Sequence, residues 1–284
     1  MGTPARVAQV ERRAAPFVKW VGGKGRILAQ LEPLLPKGVG RMRHVEPFVG
    51  GGALFFHRAP QRALLCDVNG ALVEAYETIR DRVEDVIPHL RRLAGEHCKE
   101  RYYEVRERYN TASKLSRPER VALFIYLNKT CFNGLHRVNR KGHFNVPAGR
   151  YKNPRIVDPG GLRAASEVLQ SAELVHAGFD QILRWARPGD FVYFDPPYVP
   201  LSHTSNFTSY AQDGFGPEEQ LRLRDVFREL DRRGCKLMLS NSDTDFVRDA
   251  YAKWNIDVVA APRAVNCNGR GRGKITEIVV RNYG

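Results

Sequence analysis

The chain has 284 residues, 43% of them hydrophobic, and carries a net charge of +14 with a pI near 9.8. That length and apolar content supply a full core for one large or two modest domains, and the positive excess points to a polyanionic partner, nucleic acid first. The five cysteines (Cys66, Cys98, Cys131, Cys235 and Cys267) are scattered without a C-x-x-C pair, and no apolar run reaches membrane-spanning length, which argues against a disulfide framework, a zinc site and a transmembrane protein and fits a reducing cytosol.

From Met1 to Pro16 the chain holds Arg6, Arg12 and Arg13 with no apolar stretch behind them. This is no secretory signal, and the arm is expected to be disordered up to about Ala15. Next comes Phe17-Val18-Lys19-Trp20-Val21-Gly22-Gly23-Lys24, a glycine pair ahead of a helix expected over 25–35. It lacks the G-x-x-x-x-G-K-[ST] spacing of a phosphate-binding loop, and a plain packing role for Trp20 is an open alternative.

A short strand is expected at His44-Val45-Glu46, followed by the loop Pro47-Phe48-Val49-Gly50-Gly51-Gly52 and a helix from Ala53. A second strand, Ala63 to Cys66, ends in Asp67. Strand, loop, helix and strand in this order imply a parallel sheet. Phe48-x-Gly50-x-Gly52 lets backbone approach a ligand closely, and Asp67 stands where an acid binds both hydroxyls of a ribose. A dinucleotide site would carry a third glycine, and Phe55 holds that position. A nucleoside without a pyrophosphate fits better, S-adenosylmethionine being the obvious one; a glycine loop that merely starts a helix is the alternative.

From about Asn69 helical spacing takes over (Leu72, Tyr76, Ile79; Val121, Phe124, Ile125) and lasts to Asn128. The polar stretch Lys129 to Arg155, with Asn133-Gly134, Lys141-Gly142 and Pro147-Ala148-Gly149, reads as a hairpin and loops. From about Gly161 helix and strand alternate again. Strands are expected at Glu173 to Val175, Phe191 to Phe194, Lys236 to Ser240, Ile256 to Ala260 and Thr276 to Val280. The organisation is an α/β domain from residues 1–69 and 161–284, with a helical plus hairpin insert over 70–160.

The strand Phe191 to Phe194 runs into Asp195-Pro196-Pro197-Tyr198. Neither proline donates an N–H and each ring fixes its φ, so the turn is stiff. Ligands of open α/β sheets bind at that strand edge. A carboxylate, a carbonyl and an aromatic face held there suit a flat heteroaromatic ring with an exocyclic amine. Tyr198 can stack on the ring while Asp195 and the Pro196 carbonyl accept the two amine hydrogens.

Taken together, these segments resemble the Dam-type DNA adenine-N6 methyltransferases. The likeness runs from Phe17-Val18-Lys19-Trp20-x-Gly22-Gly23-Lys24 through Glu46-Pro47-Phe48-Val49-Gly50 and Asp67-Val68-Asn69 to Leu127-Asn128-Lys129. It continues with Phe132-Asn133-Gly134-Leu135-x-Arg137, then Phe144-Asn145-Val146-Pro147-x-Gly149-Arg150-Tyr151, and ends in Asp195-Pro196-Pro197-Tyr198. Glycine loop, recognition segment and Pro-Pro-Tyr motif come in the order of the family's α class.

The resemblance implies a Rossmann-like methyltransferase sheet with an inserted target-recognition domain, methylating adenine N6 at GATC. It places Trp20, Lys24, Asp67 and Asp195, with Phe48, Gly50 and Gly52 of the loop, around S-adenosylmethionine, and Tyr198 against a flipped adenine. It gives Lys19, Phe132, Asn133, Leu135, Arg137, Arg150 and Tyr151 to DNA, with Phe132 inserted into the duplex. Phe132 and Val138 stand where the family carries tyrosine, and His136 and Arg140 also differ.

Chemically, Arg137 suits guanine O6 and N7, with a phosphate contact as the alternative. Lys141, Arg150, Lys152 and Arg155 and the loop Asn268 to Lys274 suit the backbone. His44, His57, His89 and His203 show no pattern and read as surface or packing residues. No metal and no obligate protein partner are expected, and the enzyme is expected to work as a cytoplasmic monomer on double-stranded DNA. The competing readings are a catalytically silent DNA-binding module on this scaffold and a methyltransferase acting on RNA or a protein amide.

Overall fold

The computed structural model describes residues 13–198, 215–261 and 275–284. The expectations for the arm before residue 13, for His203, for Cys267 and for the loop 268–274 lie outside the described residues.

Seven strands form one sheet: β1 (His44–Glu46), β2 (Ala63–Asp67), β3 (Ala172–His176), β4 (Phe191–Phe194), β5 (Lys236–Ser242), β6 (Asn255–Ala261) and β7 (Ile275–Arg281). Their order is β3-β2-β1-β4-β5-β7-β6. The first five in that order pair in parallel, and β7 enters antiparallel between β5 and β6. All strands fall where the alternating and apolar runs put them; β1 and β4 have the expected ends and the others run one or two residues longer. The sheet is the α/β, Rossmann-like one expected of this sequence.

The central strands β1, β2, β4 and β5 are buried on both faces and read as largely apolar runs, while the edge strands β3 and β6 are partly exposed. Successive residues take opposite sides. Val192 and Phe194 join Leu237, Leu239, Ile278 and Val280 in one cluster, while Phe191 and Tyr193 join Met238 and Val279 in another. The first cluster is closed by α7 (Pro217–Arg232), whose stripe Leu223, Phe227 and Leu230 has helical spacing, and by Val247 and Tyr251 at α8 (Asp245–Ala250).

The helix expected over 25–35 is broken into the 3-10 turn Lys24–Arg26, α1 (Leu28–Leu31) and a second turn, Glu32–Leu34. Pro33 has no N–H and cannot continue an α-helix begun before it. After the glycine loop, α2 (Ala53–Arg58) leads into β2.

The insert is built from α3 (Gly70–Gly95, interrupted at Arg82), α4 (Lys99–Thr111) and α5 (Arg117–Thr130). Asn69 caps α3 by accepting from the Leu72 N–H, and Ser116 caps α5 at Glu119. α6 (Pro159–Leu169) returns the chain to β3, capped by Asp158. One apolar cluster runs from Phe17, Val49 and Phe56 through Tyr76 and Ile79 to Tyr102, Phe124 and Phe144, so the core is continuous across residue 70.

Between α5 and α6 the expected hairpin is short: Val138 bridges Phe144, the Asn145 N–H donates to the Arg137 carbonyl and the Asn139 N–H to the His143 carbonyl, and Cys131 bridges Ala148 nearby. Side chains reinforce it. Asn139 Oδ1 accepts from the backbone N–H groups of Lys141 and His143, and Asn110 of α4 bonds both Phe144 N–H and Phe144 C=O.

Candidate functional site

Because β1, β2 and β4 run parallel, their carboxyl ends share one edge, and Glu46, Asp67 and Asp195 are delivered to it. The loop from β1 into α2 is folded flat against its neighbours. Gly50 and Gly52 have φ of +47° and +65°. A Cβ on Gly50 would stand 2.8 Å from Trp20 Cδ1, and one on Gly52 would stand 2.8 Å from the Tyr76 hydroxyl oxygen. Tyr76 donates that hydroxyl to the Gly50 carbonyl at 3.0 Å. Only glycine satisfies both conformation and space here.

Asp67 accepts from the Gly50 N–H at 3.0 Å and the Asn69 N–H at 2.9 Å. Burial pushes its carboxyl up from the usual range, and these backbone donors oppose the rise. Val68 beside it is exposed. Phe48 is half-buried and stacks on Phe179 with centroids 5.3 Å apart.

The second cluster forms around β4. Lys24, almost wholly buried, places its ammonium 2.7 Å from Asp195 Oδ1 and donates to the Gly22 carbonyl at 2.6 Å. The same ammonium lies 4.6 Å from the centre of the Tyr198 ring, within cation–π range. Tyr198 donates its hydroxyl to Glu277 Oε2 of β7 at 2.8 Å. Burial raises the Asp195 carboxyl to about 6, with Lys24 pulling it down against that rise.

The Pro-Pro-Tyr turn is held from behind. Gln220 of α7, buried, donates its amide to the Pro197 carbonyl at 2.8 Å. Its own oxygen accepts from Asn241 Nδ2 of β5 at 3.0 Å. Pro196 is buried and Pro197 exposed.

Glu46 belongs to a further buried chain. His44 Nε2 lies 2.7 Å from Glu46 Oε1, and Arg58 donates to His44 Nδ1 and to the Val39 carbonyl. An imidazole that accepts at Nδ1 carries its proton on Nε2 and is neutral. Burial pushes Glu46 up to about 8 and holds His44 well below its usual range. His44, read from the sequence only as surface or packing, is thus a fully buried hydrogen-bonding residue.

The insert meets the edge through Lys19. Its backbone N–H donates to Asn128 Oδ1 at 2.7 Å, and Asn128 Nδ2 donates back to the Lys19 carbonyl at 2.7 Å. Lys19 Nζ donates to the Lys129 carbonyl at 2.9 Å and sits 3.8 Å from the centre of the Tyr151 ring. Burial and the neighbouring Lys19 lower the Lys129 ammonium. Phe132 (47% exposed), Asn133, Arg137, Arg150 and Tyr151 all face solvent, and Leu135 is half-buried. Phe132 is therefore not a core residue. Arg137 Nε donates to Asn145 Oδ1 at 2.7 Å, which extends its guanidinium along the loop.

The structure thus gathers Lys24, Asp195 and Tyr198 in one cluster, Trp20, Gly50 and Asp67 in another, and Lys19 with Tyr151 in a third. Phe48 stands apart. Sequence reasoning missed Gln220, Asn241, Glu277, Asn128 and the His44–Arg58 pair. Gln220 left one signal: a polar residue in register with the apolar stripe Leu223, Phe227 and Leu230.

Comparison with known proteins completes the description. The family model of D12 class N6 adenine-specific DNA methyltransferases matches residues 20–265. The chain is 45% identical to Type II methyltransferase M1.LlaDCHI of Lactococcus lactis subsp. cremoris, over 95% of each chain. It is 42% identical to Type II methyltransferase M.MjaIII of Methanocaldococcus jannaschii, covering 94% of this chain and 99% of that one. It is 36% identical to DNA adenine methylase of Escherichia coli K12, over 93% of each.

Proposed function

The chain belongs to the D12 class N6 adenine-specific DNA methyltransferase family, and we propose that it methylates adenine N6 in duplex DNA at GATC, with S-adenosylmethionine as methyl donor and the base flipped out of the helix. The observation that carries this reading is the grouping of Lys24, Asp195 and Tyr198 at the carboxyl edge of β4.

The lone pair of the adenine amine is conjugated into the ring, so the amine is a poor nucleophile. Acceptors on its two hydrogens favour a pyramidal nitrogen. Lys24 holds one oxygen of Asp195; the other has lone pairs for one amine N–H. The Pro196 carbonyl accepts the second. Gln220 fixes the turn through Pro197, so orientation and electrostatics are the main contributions.

N6 lies inside the stack of a duplex, and flipping the base costs a few kcal/mol. Stacking on Tyr198, about 1–3 kcal/mol, offsets part of that cost. On this reading the exposed Phe132 fills the gap, and Lys19, Asn133, Leu135, Arg137, Arg150 and Tyr151 serve recognition.

The β1–β2 edge fits S-adenosylmethionine: the Asp67 carboxylate stands at the strand end, exposed Val68 offers an apolar surface beside it, and residues 50–52 present backbone alone. Trp20, Lys24, Phe48, Gly50, Gly52, Asp67 and Asp195 would hold the cofactor, which supplies an electrophilic methyl group when bound. Residues 1–69 and 161–284 form the catalytic unit on this reading, and 70–160 the recognition unit. No helix among the described residues is long and apolar enough to cross a membrane; on this reading the enzyme works on DNA as a cytoplasmic monomer.

The test is methyl transfer from labelled S-adenosylmethionine to two duplexes, one with a single GATC and one with GTTC. Label recovered as N6-methyladenine from the GATC duplex alone is expected. Label on both discards the site, and label on neither discards the reaction.

A further inference from the structure

His136 lies between Leu135 and Arg137 in the exposed recognition loop, yet its ring turns inward. It stacks on Trp20, with centroids 5.8 Å apart and 23° between the planes. Its Nδ1 lies 3.1 Å from Asn69 Nδ2, and Phe124 and Phe144 close the cage at 5.8 Å each. An amide nitrogen donates, so Nδ1 accepts and the ring is neutral in this arrangement.

Two partners of this ring, Trp20 on its face and Asn69 at Nδ1, also touch the glycine-loop edge. Trp20 lies so close over Gly50 that no Cβ fits between them. Asn69 donates its backbone N–H to Asp67 at 2.9 Å and caps α3 through Leu72. A cavity of about 660 Å³ opens beside His136, bounded by Asn69, Tyr109, Asn110, Arg120 and Arg137, which leaves room for the loop to shift when DNA engages it.

We propose that His136 is a positioning residue that couples DNA reading by the loop to cofactor binding at the Trp20–Gly50–Asp67 edge. The inference rests on the function proposed above, in which the loop reads DNA and that edge holds the cofactor. Movement of the backbone at Leu135 or Arg137 carries the imidazole with it. The imidazole in turn sets where the indole lies over Gly50 and how Asn69 presents its N–H to Asp67. Coupling of this kind is reciprocal: whatever factor the duplex adds to cofactor affinity, the cofactor adds to duplex affinity.

The experiment is calorimetric titration of S-adenosylhomocysteine into the protein alone, with a GATC duplex, and with a GTTC duplex. In the wild type the GATC duplex is expected to tighten binding by about fivefold or more, the lower end of common couplings. His136→Ala is expected to erase that gain, and His136→Phe, which keeps the ring stack, to restore part of it. Asn69→Ser keeps a cap acceptor for α3 but is too short to bring a donor to the Nδ2 position facing His136, and is expected to reduce the gain even should the alanine variant fail to fold. A wild type without coupling, full coupling in His136→Ala or Asn69→Ser, or no recovery in His136→Phe overturns the proposal. Methyl transfer assayed in parallel separates the two failures: normal methylation with these outcomes sinks only the coupling, whereas no methylation by the wild type sinks the functional reading.

Discussion

The ammonium of Lys24 stands 2.7 Å from Oδ1 of Asp195, so the carboxylate at the end of β4 is already partnered by a cation before any substrate arrives. Two opposing influences set its protonation. Burial raises the carboxyl to about 6, and Lys24 lowers it. Only the ionised form offers a full acceptor to an amine hydrogen. The rate constant kcat/KM should therefore fall as pH drops through about 6, approaching tenfold per unit below it. Lys24→Met removes the opposing cation, so the carboxyl rises further and the acid limb moves to higher pH. A pH–rate profile checks this; a limb that stays put or moves down would remove Asp195 as its origin.

Gln220 offers a test of orientation without touching substrate. Its leucine variant leaves the Pro197 carbonyl and Asn241 Nδ2 without their partners. The Pro-Pro-Tyr turn loosens, and misplacement by about 1 Å can cost on the order of a hundredfold. We expect Gln220→Leu to lower kcat by about ten- to a hundredfold with KM for DNA little changed. Steady-state kinetics showing raised KM at unchanged kcat would contradict it.

Arg137 is exposed, and its guanidinium is extended along the loop by Asn145. A bidentate contact to guanine is worth about 1–3 kcal/mol of discrimination. Arg137→Ala should shrink the ratio of kcat/KM between GATC and singly altered sites by roughly tenfold or more. Non-specific binding should change far less. Competition between duplexes measures the ratio; equal weakening on every sequence would make Arg137 a phosphate contact.

Gly134 tests the join between the insert and the sheet edge. It has φ of +65°, and a Cβ there would lie 2.5 Å from Lys19 Cβ. Gly134→Ala therefore meets strain of about 1–3 kcal/mol from the backbone alone, plus a clash that pushes Lys19 off Asn128. Urea denaturation should show the loss as a lower midpoint, with weakened DNA binding alongside. An unchanged midpoint would mean that the loop can move freely.

What the sequence determined by itself was local. Asp195-Pro196-Pro197-Tyr198 ends a strand because two successive prolines can neither donate nor bend, and the glycines at 50 and 52 announce a backbone that must turn left-handed and lie flat. Strand and helix order followed from hydrophobic period, which fixed the parallel sheet and brought Glu46, Asp67 and Asp195 to one edge. The helix over 25–35 did not survive, since Pro33 cannot continue it, whereas the hairpin is present as a short pair of facing segments at residues 137–145. The tertiary structure alone decided how the pieces are held. Lys19 with Asn128, Pro197 with Gln220, Tyr198 with Glu277 and His44 with Arg58 join residues from separate elements. No spacing rule links them. A polar group buried beside the sheet must find a partner, and which partner it finds depends on which chain segments the packed core brings within about 3 Å of it.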